Sequence, residues 1–240
     1  MRRSSRRPRA ALALICALLG SLLTVAGPVN AAPGASCRKG GECELGDTGP
    51  GGGTVFYDAG SPQWWGRWLE ARPLRTGTGL PWSLMPADSL FTGATAARAI
   101  IDHKGIGYGA ANTALIVAQS GPGRYAASYV DELVLDGKDD WFLPSKDELA
   151  ELYDYHALHG RPLMQRFPYW SSSENGPRNA WYQLFQDGTM FTDENGLGDV
   201  PSNKNLTRMP RHSGSGFPSL AFRLVAVRSV GPRKIGRAHV

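Results

Sequence analysis

The chain has 240 residues, with 26 lysines and arginines against 21 acidic residues and a formal net charge of +5. Five of the arginines lie in residues 1–32, where no acid occurs, so residues 33–240 balance at 21 basic and 21 acidic. The sequence pI of about 9.2 therefore belongs to the N-terminal segment and gives no support to a nucleic-acid-binding protein.

Arg2, Arg3, Arg6, Arg7 and Arg9 precede an uncharged apolar run over residues 10–26, and Val29-Asn30-Ala31 then ends in a small residue. This pattern predicts a secretory signal peptide over residues 1–32, cleaved near Ala31 or Ala32. The apolar run is short of the roughly 20 residues that a membrane span needs, which leaves an uncleaved N-terminal anchor as the alternative. Residues 33–44 form a short leader holding Cys37 and Cys43 in "CRKGGEC". In an oxidising compartment the two are expected to pair, closing a small loop that adds about 2 kcal/mol. At the other end, residues 235–240 read as a translated sequencing adapter. They are expected to be an artefact, with the natural chain interrupted near Lys234.

"GDTGPGGG", residues 46–53, has the look of collagen or of a phosphate loop. Two Gly-X-Y triplets are too few for a triple helix, and the Gly-Lys-Ser/Thr of a phosphate loop is missing. The segment predicts a tight turn before a strand at residues 54–57. In "QWWGRWLEA", Trp68 and Glu70 alternate with Leu69 and Ala71, which predicts a second strand. Trp64, Trp65 and Trp68 are candidates either for the core or for stacking on a sugar. Residues 94–134 read as two or three helical pieces punctuated by glycine. Ala126, Tyr129, Val130, Leu133 and Val134 fall on one apolar face.

In "DDWFLPSKDELAELY", residues 139–153, an apolar patch centred on Trp141 ends at Pro144. Ser145 and Glu148 then have the spacing of a capping box. Asp147 and Glu148 also suit a helix N-terminus, and Leu149, Leu152, Tyr153 and His156 make a stripe. The break is read as a strand-to-helix joint. "YWSSSE", residues 169–174, predicts a strand containing Trp170, Ser172 and Glu174. Residues 180–193 predict a hairpin turning at Asp187-Gly188. Residues 219–230 predict a last strand with Leu220, Phe222, Leu224 and Ala226 on one face. The intervening polar stretch, residues 194–217, is long enough to suggest a function. Charge is lopsided: residues 33–160 carry 10 basic and 16 acidic residues, residues 161–240 carry 11 and 5.

Taken in order, "GDTGPGGGTVFY", "GIGYGAANTALIVA", "WFLPSKDELAELY", "YWSSSE", "NAW" followed by a Phe and a Gly, and "RLVAVR" resemble the Lcl C-terminal domain family, named for the bacterial domain that ends a Legionella collagen-like adhesin. The likeness runs over residues 45–230. It implies an α+β, C-type-lectin-like fold, with helices packed on a twisted and mostly antiparallel sheet, and the binding of sulfated glycosaminoglycans. The collagen stalk is missing, so trimerisation is not implied. The Leu143-Pro144-Ser145 joint is also similar to one in formylglycine-generating enzymes.

No enzyme signature stands out: there is no Gly-x-Ser-x-Gly elbow, no His-Glu-x-x-His, and no cysteine after Cys43. His156 and His159 lack a third metal ligand and read as a solvated helix end. Asp193, Glu194, Asn195, Asp199 and Asn203 could offer oxygens to calcium, but the Glu-Pro-Asn and Gln-Pro-Asp sugar signatures are absent. The chain is therefore expected to be a non-enzymatic module without cofactor or resident metal, secreted or at the cell surface. Arg178, Lys204, Arg208 and Arg211 would hold an anionic glycan by charge-assisted hydrogen bonds, and one of Trp181 and Tyr182 would stack on a sugar. The alternative is a cell-envelope module that binds a protein. Nucleic acid is not an expected partner, nor is a stable membrane span once the signal is removed.

Overall fold

A computed structural model of the chain describes residues 35–84, 103–159, 163–175, 179–191 and 221–233. They form an α+β unit. In chain order its elements are α1 (Ala35–Arg38), β1 (Thr54–Asp58), β2 (Trp68–Pro73), α2 (Gly109–Ser120), α3 (Ala126–Asp131), α4 (Lys146–Leu158), β3 (Pro168–Glu174), β4 (Ala180–Leu184), β5 (Met190–Phe191) and β6 (Val225–Val230).

The strands make two antiparallel sheets, ordered β1-β2-β6 and β3-β4-β5. The last strand lies beside β2, with Trp68 opposite Val230 and Pro73 opposite Val225. Two single bridges lie beside the sheets: Phe142, just before α4, pairs with Val227 of β6, and Tyr169 of β3 pairs with Arg223, just before β6. The hairpin expected at Asp187-Gly188 is present, with Thr189 N–H and its hydroxyl both donating to Asp187 Oδ1.

The strand predicted at Trp68–Ala71 is present as part of β2, and Trp68, Leu69, Glu70 and Ala71 are all buried. Leu69 and Ala71 join a core with Phe56, Trp65, Phe142, Leu149 and Leu152. On the opposite face, Trp68 packs with Val55, Val230 and the Cys37–Cys43 disulfide. The leader is thus a cover for the sheet. Arg67 fastens it further, pairing with Glu42 and Asp58 while its guanidinium lies over Trp68.

Glu70 explains the first glycine-rich loop. Its carboxylate accepts the N–H groups of Gly51 (2.9 and 3.1 Å) and Gly53 (3.1 Å) and pairs with Arg228 Nη1 at 2.8 Å. Arg228 in turn holds Asp140. A Cβ on Gly49 would fall 2.3 Å from Glu70 Oε2, so the glycines let the backbone close on the carboxylate. The loop is an anion cradle after all, and its anion is the protein's own.

The second large core holds Trp82, Tyr125, Trp141, Trp170, Tyr182, Phe222, Leu224 and Ala226. Phe222, Leu224 and Ala226 share the face predicted for them, while Leu220 is outside the described residues. Trp170 stacks on Phe222 at 3.8 Å and meets Tyr182 edge-on. Each such ring contributes on the order of a few kcal/mol of apolar burial. The stripe predicted to reach Val134 is cut short: α3 ends at Asp131 and Val134 is exposed. The chain turns there instead, with Leu135 bridging Lys138 and Asp136 at φ +49.

Candidate functional site

The joint at residues 139–153 is the structural centre of the site. Ser145 caps α4 as predicted: its hydroxyl accepts Glu148 N–H, and Glu148 Oε2 accepts Ser145 N–H at 2.7 Å. The capping box is only half of Glu148's role. The side chain is wholly buried, and its other oxygen takes Gly107 N–H at 2.7 Å and, more weakly, Gly109 N–H at 3.4 Å. Burial pushes the carboxyl up to about 7, against the hydrogen bonds from Ser145, Gly107 and Gly109.

Two of the three glycines of "GIGYG", Gly107 and Gly109, leave no room for a side chain. A Cβ on Gly109 would lie 2.3 Å from Glu148 Oε2 and 2.8 Å from Leu143 O. Gly107 has φ +94, and a Cβ there would lie 2.0 Å from Trp65 Cδ1. The segment from residue 103 to residue 109 is also held by its carbonyls. His103 O accepts Asn112 Nδ2 (2.7 Å) and Ser173 Oγ (2.8 Å). Lys104 O accepts Asp147 N–H (2.9 Å), and Gly105 O accepts Ser145 Oγ (2.8 Å). Ser173 Oγ also accepts Lys146 N–H, so this strand residue satisfies backbone groups of both the loop and α4.

What the loop displays is aromatic and cationic. Tyr108 stacks on His103 with ring centroids 4.6 Å apart, and Trp64 meets Tyr108 edge-on at 5.3 Å. Trp64 is 54% exposed, whereas Trp65 and Trp68 are buried. Of the three tryptophans in that stretch, Trp64 is the one open to solvent. Beside this ladder, Lys104 Nζ and Lys146 Nζ lie 5.2 and 5.0 Å from the centre of the Trp181 ring. Lys146 also pairs with Asp147 at 3.4 Å.

The predicted site residues divide into two groups. Arg178, Lys204, Arg208 and Arg211 lie outside the described residues, as do the five calcium candidates between residues 193 and 203. Trp181 and Tyr182 are both buried, because every residue of β4 is covered. Tyr182 sits in the Trp170–Phe222 core, which removes it as a stacking platform. Trp181 is 8% exposed, a floor beneath the two lysines and not an open face. Trp141, Ser145, Glu148, Trp170, Ser172 and Glu174 are all buried. Pro144 O accepts Ser172 N–H, joining the motif at the joint to β3. His156 and His159 engage different neighbours: Met164 N–H donates to His156 Nδ1, and His159 stacks on Tyr155. Among the described residues no group of three His, Cys, Asp or Glu could hold a metal ion.

The sequence did not point to His103, Lys104, Tyr108 or Lys146. The only available signal was their position in and next to the two most patterned blocks, "GIGYG" and "LPSKDE".

These features define an α+β module with a polar joint beneath an exposed aromatic strip. The chain belongs to the Lcl C-terminal domain family, whose profile matches residues 76–208. That family suggests a surface-associated module. No curated protein and no solved structure matches the chain. Among the described residues no helix is long and apolar enough to cross a membrane.

Proposed function

We propose that the protein is an exported, non-enzymatic carbohydrate-binding module of adhesin type, secreted or held at the cell surface, which takes anionic glycans. The observation that carries this reading is the exposed Trp64–Tyr108–His103 ladder flanked by Lys104 and Lys146. A sugar ring has an apolar C–H face that packs on an exposed indole, while its sulfates or carboxylates are met by ammonium groups. Arg178, Lys204, Arg208 and Arg211 would extend the anionic contact. The C-type-lectin-like arrangement implied by the family resemblance belongs to this same reading.

Retention on a heparin column along a salt gradient tests it. The wild-type chain is expected to elute above physiological salt. Trp64→Ala and the Lys104→Ala/Lys146→Ala pair are each expected to elute earlier with a melting temperature close to that of wild type, because Trp64 and Lys104 are exposed and Lys146 is partly so. Flow-through of the wild type, or elution indifferent to both variants, would overturn the reading. Capture of an envelope protein that survives glycosidase treatment would replace it with the protein-binding alternative.

A further inference from the structure

The ladder is carried by a loop that has no regular secondary structure of its own between residues 103 and 108. Such a segment is usually among the least stable parts of a fold. Here it is fixed from beneath at five backbone groups: the carbonyls of His103, Lys104 and Gly105 and the N–H groups of Gly107 and Gly109. Two side chains make the long-range attachments at its two ends. Ser173, from β3, donates to His103 O; Glu148, from α4, accepts from Gly107 and Gly109. Both are completely buried. Tyr108 lies between these attachment points, and His103 is one of them.

Resting on the glycan-binding reading above, we infer that Glu148 and Ser173 are positioning residues of the binding strip: they touch no ligand, and they set its affinity by holding the loop that aligns Tyr108 and His103 with Trp64. Both carboxyl oxygens of Glu148 are engaged. Three backbone N–H groups converge on them, two of these from the loop. Glutamine keeps one accepting oxygen and turns an NH2 group toward the remaining N–H, so one end of the loop is released. Alanine at residue 173 removes one of two donors to His103 O and leaves Asn112 in place, so it loosens the other end more gently.

The test uses the full chain as wild type, Glu148→Gln and Ser173→Ala. Hydrogen exchange is followed over residues 103–109, with β2 and β6 as internal reference. The Trp64–Tyr108–His103 ring contacts are read by NMR, and affinity is measured with a heparin-derived oligosaccharide. Glu148→Gln is expected to speed exchange in residues 103–109 about tenfold, weaken the ring contacts and lower affinity about tenfold, with β2 and β6 unchanged. Ser173→Ala, which also serves if Glu148→Gln does not fold, is expected to move all three in the same direction by less. Exchange that accelerates equally in β2 and β6 would show a merely structural role and overturn the inference, as would ring contacts unchanged in both variants. If the wild type does not bind the oligosaccharide, the glycan reading fails, while exchange and ring contacts still decide whether these residues position the strip.

Discussion

Two glycine loops in this molecule close on two buried carboxylates, and among the described residues only one of the carboxylates has a cation. Around Glu70, Gly51 and Gly53 supply N–H groups and Arg228 supplies a guanidinium at 2.8 Å. Around Glu148, Gly107, Gly109 and Ser145 supply N–H groups, and among the described residues no guanidinium or ammonium is bonded. The first arrangement joins residues from the start and the end of the fold, and its charge is compensated. The second joins a loop to a helix N-terminus, where backbone dipoles alone oppose the cost of burial. Charge compensation suits a permanent seam between β2 and β6. Its absence leaves Glu148 near neutrality, directly below the residues we assign to binding.

The sharpest way to break the comparison is to make the first cradle resemble the second. Arg228→Met leaves Glu70 buried with N–H donors only and frees Asp140 as well. Removing one partner of a buried pair costs about 3–5 kcal/mol, so a loss of about 4 kcal/mol is expected in urea denaturation. Glu70→Gln added to Arg228→Met should recover part of that loss, since the unpaired charge is then gone. A single Arg228→Met variant within 1 kcal/mol or so of wild type would show that the guanidinium is dispensable and the two cradles are alike.

A smaller effect is expected from the glycines. Gly107→Ala combines a left-handed backbone with a Cβ 2.0 Å from the Trp65 ring, which should cost about 3 kcal/mol. Gly60→Ala has similar backbone geometry, φ +74, but nothing within 4 Å of its Cβ, so it should cost about 1 kcal/mol. The difference between the two, measured as denaturation midpoints, isolates the close approach of the "GIGYG" loop. Equal losses would mean that backbone strain accounts for both.

The contrast between the cradles also marks the boundary of what could be read without coordinates. Ser145 and Glu148 were legible as a capping box because both partners lie within one turn of helix. The hairpin at Asp187-Gly188 and the apolar face of Phe222, Leu224 and Ala226 were legible for the same reason: each is a local pattern. Glu148 to Gly107 spans 41 residues and Glu70 to Arg228 spans 158, and no local periodicity encodes either. The glycines of residues 46–53 read as a turn, and nothing local encodes the anion buried inside it, because its carboxylate comes from β2 and not from the strand that follows the turn. Tyr182 was misplaced by assuming that β4 alternates, whereas both its faces are covered. Trp64 stands in one short run with Trp65 and Trp68, and nothing local in that run says which of the three faces water.

The third prediction separates the cradles by pH. Glu148 has a folded-state value of about 7 against an ordinary 4.5. Below pH 4.5 or so, folded and unfolded chains both hold the proton at this position, and above about pH 7 neither does. Between the two values only the folded chain holds it, so folding takes up a proton and the contribution of Glu148 to stability falls as pH rises across that window. The fall amounts to about 3 kcal/mol and then levels off above pH 7 or so. Other carboxylates titrate over the same range, and Asp58, lowered by its hydrogen bonds and ion pair with Arg67, contributes in the opposite sense. The measurement is therefore the stability of wild type minus that of Glu148→Gln from about pH 4 to pH 8. A difference that shrinks as pH rises toward 7 is the signature of a buried carboxylate without a cation. A difference that is flat, or that grows with pH, would mean that the N–H groups of Ser145, Gly107 and Gly109 stabilise the charge as fully as Arg228 stabilises Glu70, and the distinction between the two cradles would be lost.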